Sequence, residues 1–385
     1  KIYNKKKRPS NFNKALKEAN YIILSPGVSL NRSKNKKQLI RYKNKIITDI
    51  DLFYLFHKNF KSIFVTGTNG KSTTCKIINH ILKKNKIKSL LGGNIGTPIL
   101  SLNPKKNSYL IIEVSSFQLA YSKFIKPNYA LLLNITNDHI DWHGNMKNYT
   151  DSKFKIFKNQ KQNHYSLLNE DLKFQYKKRK LLGKLIIPKF NQYKKIKSKI
   201  ENKYLNLKIN DENMSFVYEL SKLLKISQKS FISSLASFKG LPHRYEIFLK
   251  KKNCIFINDS KATSFQATKY ALKNTQNIFW ILGGLPKKND KISLNYLKKN
   301  IVKSYIIGRN VNFFKSQIQD KLDYSVTRNL KNSLALIFKD IKKFKKKNNS
   351  ILFSPASASY DQYLNFEERG HDFKRLSRHY AKKYL

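Results

Sequence analysis

The chain has 385 residues and carries 78 Lys and Arg against 23 Asp and Glu, a formal net charge of +55 at pH 7. With 40% hydrophobic residues and abundant Phe and Tyr it can bury real cores despite that charge, and its length calls for two or three domains. Two cysteines, Cys75 and Cys254, exclude a disulfide framework and a cysteine-built zinc site, and no apolar run approaches the roughly 20 residues of a spanning helix.

Apolar strand-like runs alternate with amphipathic stretches almost throughout, which predicts an α/β chain with largely parallel sheets. Tyr21-Ile22-Ile23-Leu24 reads as a strand entering a turn at Ser25-Pro26-Gly27. Ser62-Ile63-Phe64-Val65-Thr66 is a second strand, followed by Gly67-Thr68-Asn69-Gly70-Lys71-Ser72-Thr73 and a helix whose apolar face is Ile77, Ile78, Ile81 and Leu82. A turn of this kind aims backbone N–H groups and a helix N-terminus at one spot, where a nucleoside triphosphate would sit. Lys71 adds a mobile positive charge, and Ser72 can hold a phosphate-bound Mg²⁺. The motif departs from a full phosphate-loop pattern, because Val65 stands where the first glycine is expected.

Tyr109-Leu110-Ile111-Ile112-Glu113 and Tyr129-Ala130-Leu131-Leu132-Leu133-Asn134 are further buried-strand candidates ending in polar residues. Open α/β sheets place ligands at the carboxyl ends of strands, so Glu113 and the segment after Asn134 are expected near Lys71. Glu113 could ligate Mg²⁺ or simply face water. The loop Asn134–Gly144 packs two aspartates and two histidines, Asp138, His139, Asp141 and His143, which suits metal or catalytic use. Tyr149–Lys155 reads as the start of a helix, and composition alone gives Lys153 no distinction. A lysine-dense stretch near residues 160–200 has weak strand signals and no chemistry of its own.

From Gly240 a second α/β series begins, with strands at Cys254–Ile257, Ile278–Leu282, Ser304–Ile307 and Ile351–Phe353. Arg244 has the fork geometry for phosphate or ribose. Asn258-Asp259-Ser260-Lys261-Ala262-Thr263 and Ser354-Pro355-Ala356-Ser357-Ala358-Ser359 each follow a strand and, taken alone, could be helix caps.

The basic start Lys5-Lys6-Lys7-Arg8 has no apolar signal-peptide core after it, so a cytoplasmic, soluble monomer is expected. Lysine is dispersed, as in Lys345-Lys346-Lys347, and accompanied by much Asn, Ile, Tyr and Phe, which fits drift toward A/T-rich codons. No nucleic-acid partner is therefore expected, although the field would favour anionic substrates. A basic nucleic-acid-binding ATPase is the competing class, and it would show basic and aromatic residues interleaved rather than motifs at strand ends.

In order, GTNGKST (67–73), GGNIG (92–96), EVSSFQL (113–119), NITNDHIDWHG (134–144), LPHR (241–244), NDSKAT (258–263) and SPASASYDQYLNFEERG (354–370) resemble the Mur ligase family. The likeness runs from about Ser25 to the C-terminus and thins between residues 160 and 205. SSFQL, NDSKAT and the long last motif are most similar to its D-glutamate-adding members; the Asp-Asn-Pro-Arg motif of diaminopimelate- or lysine-adding members is absent, and folylpolyglutamate synthases lack the SPASAS-type ending.

The resemblance implies three domains: 1–58 for the UDP substrate, a central 59–239 ATPase, and a Rossmann-like 240–385 for the amino acid. It implies ATP-dependent addition of D-glutamate to UDP-N-acetylmuramoyl-L-alanine through an acyl phosphate, in peptidoglycan precursor synthesis. Lys71, His139 and Lys153 would be catalytic, within a nucleotide loop of Gly67, Thr68, Asn69, Gly70, Lys71, Ser72 and Thr73. Ser72 and Glu113 would hold one Mg²⁺, and His139 with a carbamylated Lys153 a second. Asn210 and Asn213 would lie near adenine, with Arg244 and Asp259 reaching the nucleotide. Ser25, Pro26 and Gly27 would meet the uridine diphosphate, and Asn94 and Ser115 the muramoyl part. Lys261, Thr263, Lys287, Ser359 and the backbone around Phe366 would grip D-glutamate. The family's glycine-rich opening unit has no counterpart here, so the first domain reads as shortened; Ile209 replaces a family histidine, and Leu285-Pro286 an Asp-Gly pair.

Overall fold

The computed structural model describes residues 12–57, 60–202, 204–287, 290–344 and 348–385. The basic runs Lys5–Arg8 and Lys345–Lys347 lie outside the described residues. The chain divides into two compact units, one ending at Lys239 and the other spanning Gly240–Leu385.

The first unit opens with a small parallel pair, β1 (Ile22–Ile23) and β2 (Ile46–Ile47), over Leu16, Leu24, Leu30, Leu39 and Ile46, with Tyr121 packed against them. Its main sheet contains β3 (Lys61–Thr66), β4 (Ser89–Gly93), β5 (Tyr109–Glu113), β6 (Tyr129–Leu132), β7 (Tyr165–Leu168) and β8 (Lys184–Ile186), in the order β4-β5-β3-β6-β7-β8. Every pairing in it is parallel. Helices cover both faces of such a sheet, which is why its central strands are near-continuous apolar runs: Ile63, Phe64, Val65, Leu110, Ile111 and Ile112 are fully buried. Register places Gly93 and Val65 beside Glu113, and Thr66 beside Leu132, so the polar ends of four strands share one edge. The Lys71–Lys84 helix turns Ile77, Ile78, Ile81 and Leu82 into the core, as the spacing predicts.

In the second unit β9 (Glu246–Lys251), β10 (Cys254–Asn258), β11 (Ile278–Gly283), β12 (Ile301–Ile307), β13 (Tyr324–Arg328) and β14 (Asn349–Phe353) form a sheet in the order β13-β12-β11-β14-β10-β9. Only the edge strand β9 runs antiparallel, and an apolar core lies on each side. No helix among the described residues is long and apolar enough to cross a membrane.

Two local expectations are corrected. Asn145 caps the helix Met146–Phe154, accepting from the N–H of Asn148, so Lys153 lies in its last turn rather than at its start. NDSKAT and SPASAS are not caps: the next helices begin at Phe265 and Phe366, capped by Ser264 and Asn365. The stretch 160–200 holds β7, β8 and the helix Phe190–Lys197, whose buried face is only Tyr193 and Ile196.

In the first unit one buried carboxylate fastens the helix Asp49–Phe56 to the loop that follows the helix Ser116–Tyr121. Asp51 is fully buried and accepts from Thr48 N and Oγ1, from Lys123 N and from Phe124 N at 2.7 Å. Asp51→Ala would strand those donors, at about 1–3 kcal/mol for each buried group left unpaired. Urea unfolding of the variant should show a loss of that order; an unchanged midpoint would contradict the role.

Candidate active site

Gly70 is the N-cap of the Lys71–Lys84 helix and holds φ +82°, a left-handed conformation that suits glycine. A Cβ there would stand 2.1 Å from Asn213 Oδ1, so the helix Asp211–Leu223 lays Asn213 directly on the turn. Asn69 N donates to Asn134 Oδ1 at 2.9 Å and Thr68 N to Asn134 O at 2.9 Å, tying the turn to the end of β6. Asn134 is itself held by Glu212 Oε2 at 3.1 Å. Ser72 and Thr73 are buried behind Lys71.

Two lysines converge on one carbonyl. Lys71 Nζ donates to Gly67 O at 2.8 Å and Thr68 O at 2.9 Å, while Lys153 Nζ donates to Gly67 O at 2.7 Å. Lys153 is 1% exposed, and its ammonium lies 4.7 Å from the Tyr149 ring centre. Burial first, then the charge of Lys71, hold its pKa well below the usual lysine range, with Asp138 opposing them. Tyr149, also buried, places its hydroxyl 3.0 Å from Thr68 Oγ1.

Glu113 closes β5 with 3% exposure. Its Oε1 accepts from Asn94 Nδ2 at 3.1 Å, and its backbone carbonyl from Asn94 N at 2.9 Å, so GGNIG and Glu113 form one unit. Oε2 is buried with no hydrogen-bond partner. A buried carboxylate oxygen left in that state fits a cation ligand. Glu113 and Lys71 both act on the buried Cys75 thiol, whose pKa burial raises well above its ordinary value. Among the described residues no three His, Cys, Asp or Glu gather as a metal cage. The donor set of one hydroxyl and one carboxylate instead suits Mg²⁺ that takes its remaining ligands from phosphate and water.

His139 caps the short helix Ile140–His143 at φ +55°. Its Nε2 lies 3.4 Å from Asp138 Oδ2, and its ring centre 4.7 Å from Phe117 and 6.4 Å from Tyr149. Lys71, Lys153, Glu113 and His139 are thus linked through Gly67, Cys75, Tyr149 and Asp138. His143, by contrast, is buried between two hydroxyls, Ser116 and Ser152, and burial pushes its pKa down to about 4, aided by His139 and Lys153.

The remaining first-unit candidates make mostly local contacts. Ser115 caps the helix Ser116–Tyr121 in a reciprocal box with Gln118. Ser25, Pro26 and Gly27 form an exposed turn closed by Val28 N to Ser25 O at 2.9 Å. That segment is tied toward His139 and His143 by Ser29 Oγ to Trp142 O at 3.2 Å and Leu30 N to Tyr121 Oη at 2.9 Å. Asn210 donates to Tyr204 O at 2.6 Å, bracing its own loop, whereas Asn213 meets Gly70.

In the second unit Asp259 follows β10, accepts from Tyr245 N at 3.1 Å and Ser354 Oγ at 2.7 Å, and is pushed up to about 7 by burial, with Arg244 opposing. Lys261 Nζ stands 4.6 Å over the Phe366 ring, and Ser260 Oγ donates to Phe366 O at 2.8 Å. Ser359 is buried, Thr263 half-buried and Lys287 exposed. Arg369 joins these segments: its guanidinium donates to Ser260 O at 2.8 Å and Ser357 O at 2.9 Å. Sequence reasoning singled out neither Arg369, inside EERG, nor the side chains of Tyr149 and Asn134, and it marked His143 only as one of four candidates for metal or catalytic use in the 134–144 loop.

The chain is similar to known proteins in sequence and in fold. Residues 65–235 match the family model described as the Mur ligase middle domain. UDP-N-acetylmuramoylalanine–D-glutamate ligase of Rickettsia bellii is 34% identical over 379 residues, covering 92% of this chain and 84% of that protein. The ligase of the same name from Wolbachia sp. subsp. Brugia malayi is 36% identical over 421 residues, covering 93% and 84%. The solved MurF ligase of Thermotoga maritima in complex with ADP has the same fold, with TM-score 0.63 at 16% identity over 96% of this chain and 97% of that one. E. coli FolC in complex with DHPP and ADP gives TM-score 0.58 at 14% identity over 83% and 89%.

Gly70→Ala tests the turn. The added methyl meets Asn213 and a strained backbone, so urea unfolding should lose about 1–3 kcal/mol; wild-type stability would contradict the contact.

Proposed function

The chain belongs to the Mur ligase family, and from that premise we propose that it joins D-glutamate to UDP-N-acetylmuramoyl-L-alanine while ATP is cleaved to ADP and phosphate. The observation that carries the reading is the pair of lysines on the Gly67 carbonyl, at the carboxyl edge of a parallel sheet beside a buried, half-satisfied Glu113. Two anions, a carboxylate and a phosphoryl group, must meet in this reaction. A site for it therefore needs cationic charge at the transfer point and little competing water.

In this reading the turn 67–73 cradles the ATP phosphates. Lys71 leaves the Gly67 and Thr68 carbonyls for the transferring group, and Asn213 holds the turn in shape. The alanyl carboxylate attacks the γ-phosphorus; a carboxyl O–P bond forms and the bond to ADP breaks. The amine of D-glutamate then attacks the acyl carbon, loses a proton, and expels phosphate from the tetrahedral intermediate to leave the amide.

Lys153 has a chemical reason to differ from the chain's other lysines. An amine reacts with CO₂ only when uncharged, and the depressed pKa of Lys153 keeps it so at lower pH than a free lysine. Carbamylation of the neutral Nζ, with release of one proton, would place a carboxylate there. Ser72 and Glu113 would hold one Mg²⁺, and His139 with that carboxylate a second, supplying neutralising charge to the phosphates.

Asn94 and Ser115 would meet the muramoyl part, and Ser25, Pro26 and Gly27 the uridine diphosphate. Asn210 and Asn213, and Arg244 and Asp259, would serve the nucleotide. Lys261, Thr263, Lys287, Ser359 and the Phe366 backbone would take D-glutamate. The division into 1–58, 59–239 and 240–385, monomeric action, a cytoplasmic setting and the lack of a nucleic-acid partner belong to the same reading.

Mass-resolved assay with D-Glu, L-Glu, L-Lys and D-Ala should yield product with D-Glu, and Lys71→Ala should lower turnover at least about 100-fold. Preference for another amino acid would overturn the substrate, and near-normal turnover the role of Lys71.

A further inference from the structure

We propose that His143 is a positioning residue that fixes the spacing of the two elements carrying Glu113 and Lys153; this rests on the ligase reading above. The imidazole is 3% exposed and touches one hydroxyl with each nitrogen. Nε2 lies 3.0 Å from Ser116 Oγ, three residues beyond Glu113, and Nδ1 lies 3.4 Å from Ser152 Oγ, adjacent in sequence to Lys153. Both serines are buried.

The hydrogen-bond directions follow from the hydroxyl at one end. Ser152 Oγ donates its proton to Asn148 O at 2.7 Å, so toward His143 it can only accept. Nδ1 therefore carries the imidazole proton, and Nε2 accepts from the Ser116 hydroxyl. The result is a one-way chain from Ser116 through the ring and Ser152 to Asn148. Asn148 closes the arrangement, donating from Nδ2 to His143 O at 2.9 Å.

The ring cannot swing out of this chain. Phe117 stacks on it at 5.7 Å and 16°, while Trp142 and Tyr149 bracket it at 4.5 Å and 5.2 Å. Tyr149 is also the ring beneath the Lys153 ammonium, and His139 begins the one-turn helix that ends at His143. One side chain thus connects the strand end bearing Glu113, the helix bearing Lys153 and the turn bearing His139. Groups that orient ligands without touching the ion commonly govern cation affinity.

The test uses the full chain with Mn²⁺ and a non-hydrolysable ATP analogue, reading free Mn²⁺ by electron paramagnetic resonance. His143→Phe, which keeps an aromatic ring but neither nitrogen, should weaken Mn²⁺ binding roughly 10–100-fold. It should lower kcat and leave KM for D-glutamate near wild type, because the proposed D-glutamate residues lie in the second unit. His143→Gln, with one donor and one acceptor, should recover much of the Mn²⁺ affinity. A folded His143→Phe with wild-type Mn²⁺ affinity overturns the proposal. Should that variant fail to fold, Ser116→Ala and Ser152→Ala decide: weakened Mn²⁺ binding in both supports it, and unchanged binding in both overturns it. A wild-type protein that makes no D-glutamyl product would defeat the functional reading alone, since the Mn²⁺ comparison needs no turnover.

Discussion

The backbone carbonyl of Gly67 is the point on which the first unit is organised. It accepts from Lys71 and from Lys153, two ammonium groups that repel each other across a shared oxygen. The deeper lysine loses that contest, since burial already disfavours its charge. In the proposed reading Lys71 supplies the cationic charge on the nucleotide turn, and Lys153, whose charge burial disfavours, is the lysine open to CO₂. A chain with 78 Lys and Arg therefore separates two chemical roles by geometry, since composition offers it no contrast.

Around that carbonyl the sheet supplies precision. Parallel register brings the ends of β3, β4, β5 and β6 to one edge, where Asn134 meets the turn at 67–70 through short hydrogen bonds and Asn94 engages Glu113. Rigid strands hold Glu113, and Asn94 engages only one of its oxygens. The second unit repeats the principle with its own sheet: Asp259 and Ser354 close adjacent strands, and Arg369 joins the two motifs that follow them.

Much of this was legible in the sequence. The apolar runs marked the central strands, and the polar residues ending β5 and β6 pointed to the edge where Asn134 meets the glycine turn. Legibility failed where lysine hid periodicity: the helix Phe190–Lys197 shows only Tyr193 and Ile196 on its buried face. It failed also where a role depends on depth. Lys153 is unremarkable by composition, and its burial follows from Asn145 starting the helix early enough to put it in the last turn. His143 and Tyr149 act by contacts between segments, which no local pattern encodes.

The central claim is that this site passes a phosphoryl group from ATP to a carboxylate. It is tested most directly by labelling the carboxylate of UDP-N-acetylmuramoyl-L-alanine with ¹⁸O, supplying ATP and D-glutamate, and weighing the phosphate released. The account predicts one labelled oxygen in each phosphate, carried over when the acyl–oxygen bond breaks. Phosphate free of label, formed together with the amide product, would contradict it.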